Sequence, residues 1–160
     1  MAVDMFIKIG DIEGESTKSD HEGEIDVLSW SWGMTQSGTT HLGTGGGSGK
    51  VNVQDLSFTH YVDKSTPNLM INCCKGNHFK EATLVVRKAG GEQLEYMTIK
   101  MENVLITSVS TGGSGDEDRL TESVTLNFAK FSSIYVPQKE DGSGDAEIEA
   151  IYDIAAGKEG

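Results

Sequence analysis

The chain is short of basic residues. Its 160 residues carry 13 lysines and arginines against 25 aspartates and glutamates, which gives a formal net charge of −12. Nucleic-acid binders need a basic surface that releases counterions, and anionic membrane surfaces attract basic segments. The deficit of positive charge therefore argues against nucleic acid and against membranes as partners. A charge that only keeps the protein soluble is an equally good interpretation.

Long apolar runs and disulfide pairs are also missing. No segment approaches the ~20 apolar residues that cross a bilayer. The N-terminus has no basic region before its apolar residues, so we expect a strand there and no signal peptide. The only cysteines, Cys73 and Cys74, are adjacent, and neighbouring residues rarely meet disulfide geometry. We expect them to be reduced and buried, as in a cytoplasmic protein.

Motifs that carry chemistry are incomplete. The run Gly45-Gly-Gly-Ser-Gly-Lys50 lacks the first glycine of a phosphate loop, and Val51 stands where a hydroxyl would bind magnesium. A zinc-protease pattern begins at His21 but has no second histidine. The run Asp116-Glu-Asp118 begins like a calcium loop, yet Leu120 replaces an oxygen ligand. The sequence thus predicts no catalytic, cofactor or metal site, and a protein that is not an enzyme.

Strand signals dominate what the chain does contain. Eight segments alternate β-branched or aromatic residues with polar ones: 5–9, 25–33, 51–62, 82–88, 94–101, 104–111, 121–131 and 148–154. Adjacent glycines predict a hairpin turn at 89–93, and 101–104 resembles another tight turn. We therefore expect one mainly β domain over 1–160, a barrel or two-sheet sandwich of about eight antiparallel strands with one short helix.

Alternation assigns faces to two of these strands. In segment 25–33 one face holds Leu28, Trp30 and Trp32, and the other holds Val27, Ser29 and Ser31. We expect the tryptophans in the core and the serines on a solvated wall. In segment 121–131 the predicted dry face is Leu120, Val124, Leu126 and Phe128, and the wet face is Thr121, Ser123, Thr125 and Asn127. The apolar phase slips between Val53 and Leu56, which predicts a β-bulge near Gln54 and Asp55.

The helix is predicted over 66–75. Thr66 is expected as its N-cap, Pro67 at the first helical position and Gly76 just beyond its end. The apolar stripe that should pack on the sheet consists of Leu69, Met70, Cys73 and Cys74.

Two glycine-rich segments are too polar to bury. Segment 37–50 has six glycines, and segment 111–118 joins glycines to three acidic residues. Glycine loses much backbone entropy on ordering, so we expect both loops to be mobile until another chain orders them.

Four sequence motifs occur in one order along most of the chain. They are Met5-Phe-Ile-Lys-Ile-Gly-Asp11 with Gly14-Glu-Ser16, Asp26-Val-Leu-Ser-Trp-Ser-Trp-Gly33, Lys64-Ser-Thr-Pro-Asn-Leu69, and the run from 111 to 129. In these motifs the sequence resembles the haemolysin-coregulated protein (Hcp) family, the tube subunit of the bacterial type VI secretion system. The resemblance is specific up to Pro137, and the tail after it is expected to vary.

The resemblance implies a homo-hexameric ring closed by head-to-tail contacts, and rings that stack into a hollow tube. It implies export on firing, with effector proteins carried in the lumen, and sheath and spike proteins as further partners. Assembly would take place in the bacterial cytoplasm, and the protein would be secreted outside or into a target cell without an N-terminal signal.

The resemblance and the alternation together suggest three contact regions. Ser29 and Ser31 would line the lumen and contact effectors. The expected ring-stacking loop is Gly43, Thr44, Gly45, Gly46, Gly47, Ser48 and Gly49. The expected inter-subunit or spike loop is Gly112, Gly113, Ser114, Gly115, Asp116, Glu117 and Asp118.

A monomeric β-sandwich that binds a ligand, such as a carbohydrate-binding module, is the alternative. Such a module needs exposed aromatic side chains on a flat face, whereas Trp30 and Trp32 share their predicted face with Leu28. Oligomeric mass separates the two hypotheses, because a 17.2 kDa monomer favours the binding module and a sixfold species favours the ring.

Overall fold

The structure is a computed structural model that describes residues 3–38 and 50–160. Within those ranges it has eleven strands and one helix. They are β1 (Val3–Ile9), β2 (Ile25–Asp26), β3 (Ser29–Ser31), β4 (Met34–Gln36), β5 (Val51–Val53), β6 (Leu56–Tyr61), α1 (Thr66–Lys75), β7 (His78–Lys88), β8 (Glu95–Gly112), β9 (Thr121–Tyr135), β10 (Ile148–Asp153) and β11 (Lys158–Glu159).

The strands form one branched antiparallel sheet and a separate pair. The main path runs β11-β10-β9-β8-β7-β1-β2, β6 joins it through β9, β3 pairs with β6, and β4 pairs with β5 alone. One edge of β9 pairs with β8 along most of its length, while its other edge pairs first with β6 and then with β10. This branching folds the sheet over a core. The mainly β, antiparallel prediction is confirmed. The hydrogen-bonded path of the described strands does not close into a barrel, and a sandwich is consistent with it.

The predicted turn at 101–104 is wrong, because β8 runs straight through it. Asn103 takes a positive φ of 55°, which asparagine tolerates better than most residues. Near Asn103, two successive inward-facing residues of each of three neighbouring strands are three positions apart, although strict alternation would place them two apart. These pairs are Phe79 and Ala82 in β7, Met101 and Val104 in β8, and Phe128 and Phe131 in β9. Pairing with β7 and β9 on both sides keeps β8 extended through this crease.

The predicted core position of Trp30 and Trp32 is confirmed, but the predicted core position of Leu28 is wrong. Trp30 and Trp32 pack against the core, and the Trp32 ring lies edge-on to Phe131 with centroids 4.8 Å apart. Leu28 is 38% exposed, whereas Val27 is buried. The alternation resets because β2 ends at Asp26 and β3 begins only at Ser29.

The predicted bulge and hairpin are both confirmed. Two residues separate Ser31 from Met34, but three separate their partners Val53 and Ser57, so one residue is extra near Asp55. In the turn between β7 and β8, Gly90 and Gly91 have φ values of 80° and 58°, which suit glycine.

The helix has the predicted bounds, but its N-cap is Ser65 and not Thr66. The Ser65 N–H donates to Asp63 Oδ1 at 2.8 Å. Gly76 ends the helix with a φ of 65°, as predicted. The stripe is narrower than expected: Leu69 is buried and Cys73 packs on the core.

Two residues of the predicted stripe are therefore misplaced. Met70 and Cys74 are exposed, because the short helix lies against β8 along one narrow side only. The expectation of two buried cysteines is wrong for Cys74.

Candidate functional site

Ser29 and Ser31 belong to a larger polar surface that spans four adjacent strands. The order β3-β6-β9-β8 places residues in straight cross-strand rows. One row consists of Ser29, Thr59, Ser123 and Ser110, and the next consists of Ser31, Ser57, Thr125 and Ser108. We call these eight side chains the hydroxyl face. Between the two rows lies an inward row of core residues, namely Trp30, Phe58, Val124 and Val109.

Strand alternation explains why the face is so uniform. Every second residue of each strand points away from the core, and within these two rows all four strands carry serine or threonine at the outward positions. Some hydroxyls pair across strands: Thr59 Oγ1 and Ser123 Oγ lie 3.4 Å apart, and Ser108 Oγ and Thr125 Oγ1 lie 2.7 Å apart. Ser29 and Ser31 are exposed.

A second bulge, absent from the sequence predictions, orients β8 toward this face. The register between β8 and β9 shifts between Ile106 and Ser108, so Thr107 is the extra residue. Its hydroxyl donates to Asp55 Oδ2 at 2.7 Å, and Asn127 Nδ2 donates to Asp55 Oδ1 at 2.8 Å. Without the extra residue Val109 would face outward and Ser108 inward. The bulge therefore turns the apolar Val109 toward the core and the polar Ser108 toward the surface.

A buried carboxylate lies at the end of the same strands. Glu122 of β9 is only 1% exposed, and its Oε2 accepts hydrogen bonds from His60 Nε2 at 2.7 Å and Thr66 Oγ1 at 2.9 Å. Thr111 Oγ1 donates to the other oxygen at 2.9 Å. Three donors from β6, α1 and β8 thus converge on one side chain.

Sequence reasoning missed Glu122, although the alternation contained the signal. Position 122 falls between Leu120 and Val124 on the predicted dry face, where a charged residue needs partners. The placement of Leu120 on that face was wrong, because Leu120 precedes β9 and is 50% exposed.

The acidic loop has a fixed base and an exposed tip. Gly112 still belongs to β8 and pairs with Thr121. The loop itself therefore begins at Gly113, one residue after the predicted start at Gly112. Arg119 lies over the Tyr61 ring, 3.7 Å from its centroid, and adds a cation–π contact at the base. The tip residues Gly113, Ser114, Gly115, Asp116, Glu117 and Asp118 are all exposed.

Comparison with known proteins decides which family this architecture belongs to. Residues 6–135 match the family model described as "Type VI secretion system effector, Hcp". The chain is 66% identical to Protein hcp1 of Pseudomonas aeruginosa over 146 residues, which cover 91% of this chain and 90% of that protein. It belongs to the Hcp family.

Solved Hcp structures have the same fold. Hcp1 from Salmonella typhimurium is 41% identical, with a TM-score of 0.83 and 99% of each chain covered. A type VI secretion system effector from Yersinia pestis is 39% identical, with a TM-score of 0.76, and the match covers 94% of this chain and 99% of that one. Hcp membership makes the protein a secreted structural component of the type VI secretion system.

In this Hcp-family chain the expected ring-stacking residues, 43–49, lie outside the described residues. The strands that flank them are described: β4 and β5 pair antiparallel, with Met34 opposite Val53. Beside this pair is an open groove of about 560 Å³, whose lining includes Met34, Val53, Phe131 and Tyr152.

The structure was also searched for metal-binding groups and membrane spans. Over residues 3–38 and 50–160, no three His, Cys, Asp or Glu side chains come together as a metal site would require. In that same part of the chain no helix is long and apolar enough to cross a membrane.

One carboxyl group in an open cleft at the sheet edge has a perturbed acidity. Burial raises the pKa of Asp26 above its usual value, and repulsion from Asp63 and Asp4 adds to the shift. A hydrogen bond with Ser16 and the charge of Lys18 act in the opposite direction.

Proposed function

We propose that six copies of this Hcp-family protein close into a ring through head-to-tail contacts, and that rings stack into the hollow tube of the secretion system. The tube assembles in the bacterial cytoplasm, within a sheath and behind a spike, and is exported without an N-terminal signal. Effector proteins travel in its lumen. The observation that carries the proposal is the hydroxyl face.

The hydroxyl face has the properties that a channel wall needs. Its eight side chains are uncharged, although the whole chain has a net charge of −12. Serine and threonine are short, so they leave the channel open, and each hydroxyl both donates and accepts hydrogen bonds. Single hydrogen bonds exposed to water contribute little net free energy, so a cargo protein would be held by many weak contacts and could be released.

The ends of the sheet supply surfaces for ring contacts. Strands β2 and β11 end the main path, and each is only two residues long. Edge strands present unpaired backbone groups to which another chain can bond. A head-to-tail contact between two different edges forms a closed ring when the rotation closes.

Two loops are proposed as further contacts. The tip 113–118 carries three carboxylates on a base that is fixed by Glu122 and Arg119, which suits it to dock on a basic surface of a neighbouring subunit or a spike protein. Segment 43–49 is proposed to join stacked rings. Deleting it should spare the ring and abolish stacking; tubes that still form would remove it from that role.

The carbohydrate-binding alternative has no supporting observation. Both tryptophans pack against the core, and Trp32 donates from Nε1 to the Gln54 carbonyl at 2.9 Å. They therefore do not form the flat aromatic platform that such a module needs.

The test of the channel assignment is Ser31→Gln. The larger side chain should leave folding and ring mass unchanged, because Ser31 is exposed, and should change which passenger proteins co-purify. The matched control is Ser19→Gln, a serine that is exposed in the 10–24 segment and far from the hydroxyl face. Equal passenger profiles for Ser31→Gln, Ser19→Gln and the wild type would contradict a cargo role for this face.

A further inference from the structure

The segment between β1 and β2, residues 10–24, folds back on itself to form a strap. Its backbone closes through three hydrogen bonds: Gly14 N–H to the Gly23 carbonyl at 2.7 Å, Gly23 N–H to the Ser16 carbonyl at 2.8 Å, and Ser16 N–H to the Glu24 carbonyl at 2.9 Å. The two ends of the strap approach closely, since a Cβ at Gly14 would lie 2.5 Å from the Glu24 carbonyl oxygen.

The strap covers the face of β1 that points away from the main core. Ile7 belongs to that core, whereas its neighbour Phe6 faces the other way and is still only 1% exposed. The ring of His21 stacks on Phe6, with centroids 4.4 Å apart and an interplanar angle of 9°. The Ser19 carbonyl accepts a 3.0 Å hydrogen bond from Arg87 Nη1 of β7. The strap thus has its own small interface with β1 and β7.

A single histidine ties this strap to β8. His21 Nδ1 lies 3.0 Å from both carboxylate oxygens of Glu24, which is within the strap. Its Nε2 lies 3.0 Å from Glu95 Oε2, at the start of β8. A neutral imidazole has one N–H group, and its other nitrogen can only accept. Both contacts are hydrogen bonds only when the ring carries both protons.

We propose that the strap is a proton-dependent clasp, closed when His21 is the imidazolium ion and loosened when the ring loses its second proton. In the neutral ring one nitrogen lone pair would face a carboxylate, so either Glu24 or Glu95 loses its hydrogen bond and is repelled. Loss of the Glu95 contact detaches the strap from β8. Loss of the Glu24 contact weakens the strap's own turn.

Several other charged groups lie near the ring. Arg87 lies over the Phe6 ring, 5.0 Å from its centroid. The carboxylates of Glu24 and Glu95 contact the His21 ring directly, at 3.0 Å. Lys18, Asp20 and Glu22 of the strap are exposed, so water screens them.

The clasp should therefore be tightest in mildly acidic solution. Histidine side chains change charge within about pH 5 to 8, and the clasp depends on the charged form. In strong acid, Glu24 and Glu95 take up protons and no longer attract the imidazolium. This inference does not depend on the proposed tube function, because every contact lies within one chain.

Hydrogen–deuterium exchange of the full-length protein, read by mass spectrometry, is the test. After correction for intrinsic exchange, protection of the peptide spanning the strap should fall by on the order of tenfold between pH 6 and pH 8.5. Peptides from β9 should lose less protection. In His21→Gln the strap should be poorly protected at both pH values, and His78→Gln, which changes an exposed histidine, should behave as the wild type does.

A second variant keeps the inference testable if His21→Gln does not fold. Glu95→Gln retains an oxygen that can accept from Nε2 but removes the negative charge, so the pH response of the strap should shrink. Wild-type strap protection that does not change between the two pH values would overturn the proposal. So would an undiminished response in either His21→Gln or Glu95→Gln.

Discussion

Thr107 donates a 2.7 Å hydrogen bond to Asp55, and each of these residues lies at a β-bulge. Asp55 lies where the chain passes from β5 to β6, and Thr107 lies in the middle of β8. Asn127 of β9, the strand between β6 and β8, donates to the same carboxylate. The two bulges are thereby locked together beside the hydroxyl face.

Removing the shared carboxylate should therefore destabilise the protein. Asp55→Ala removes the acceptor that Thr107 and Asn127 share and leaves Thr107 only its contacts with Thr125. We expect a loss of about 0.5–1.5 kcal/mol in the free energy of unfolding, measured by urea denaturation. Asp55→Asn keeps one acceptor oxygen and should lose less. If the urea midpoint of Asp55→Ala equalled that of the wild type, the bulges would not need this contact.

Glu122 should be among the most sensitive positions in the chain. Glu122→Ala leaves the buried His60 facing a cavity and removes the acceptor of Thr66 and Thr111. Leaving a buried donor without its acceptor costs about 1–3 kcal/mol, and more when the lost acceptor is charged, which urea denaturation would detect. Glu117→Ala, in the exposed loop tip, is the control and should change stability by less than about 0.5 kcal/mol. Similar effects of the two substitutions would contradict the anchoring role.

The raised pKa of Asp26 predicts that this carboxyl group lowers the stability of the folded protein as the pH rises. The folded state binds a proton at this site more readily than the unfolded chain does, so the contribution of Asp26 to stability falls as pH rises from about 4 through the folded-state pKa. Asp26→Asn should therefore be more stable than the wild type near pH 7. The difference should disappear below about pH 4, where the carboxyl is protonated in both states.

Chemical denaturation at several pH values between about 3.5 and 7 measures this difference. Asp116→Asn, on the exposed loop, controls for the general loss of a negative charge. If Asp26→Asn were less stable at neutral pH, or if its advantage were the same at every pH, burial of the carboxyl would not be the cause.

Local patterns predicted most of the elements. Alternation identified the strands except β4 and β11, and it gave the outward position of Ser29 and Ser31. Pro67 and Gly76 bounded the helix. The misassigned residues Leu28 and Leu120 both lie just outside a strand end, where alternation no longer fixes the direction of a side chain.

Features that depend on distant residues could not be predicted in this way. Asn103 has a turn-like neighbourhood in sequence, but β7 and β9 on either side hold it in a strand. The partners of Glu122 include His60 and Thr66, which are 62 and 56 residues away. The two rows of the hydroxyl face exist only because four strands pair in one register, and no single strand encodes that register.

The central claim is that this protein forms a ring whose wall includes the hydroxyl face, and native mass spectrometry tests it most directly. The account predicts a closed species of six 17.2 kDa chains, about 103 kDa, that persists in Ser31→Gln. A 17.2 kDa monomer as the sole species over a wide range of protein concentrations would contradict the account.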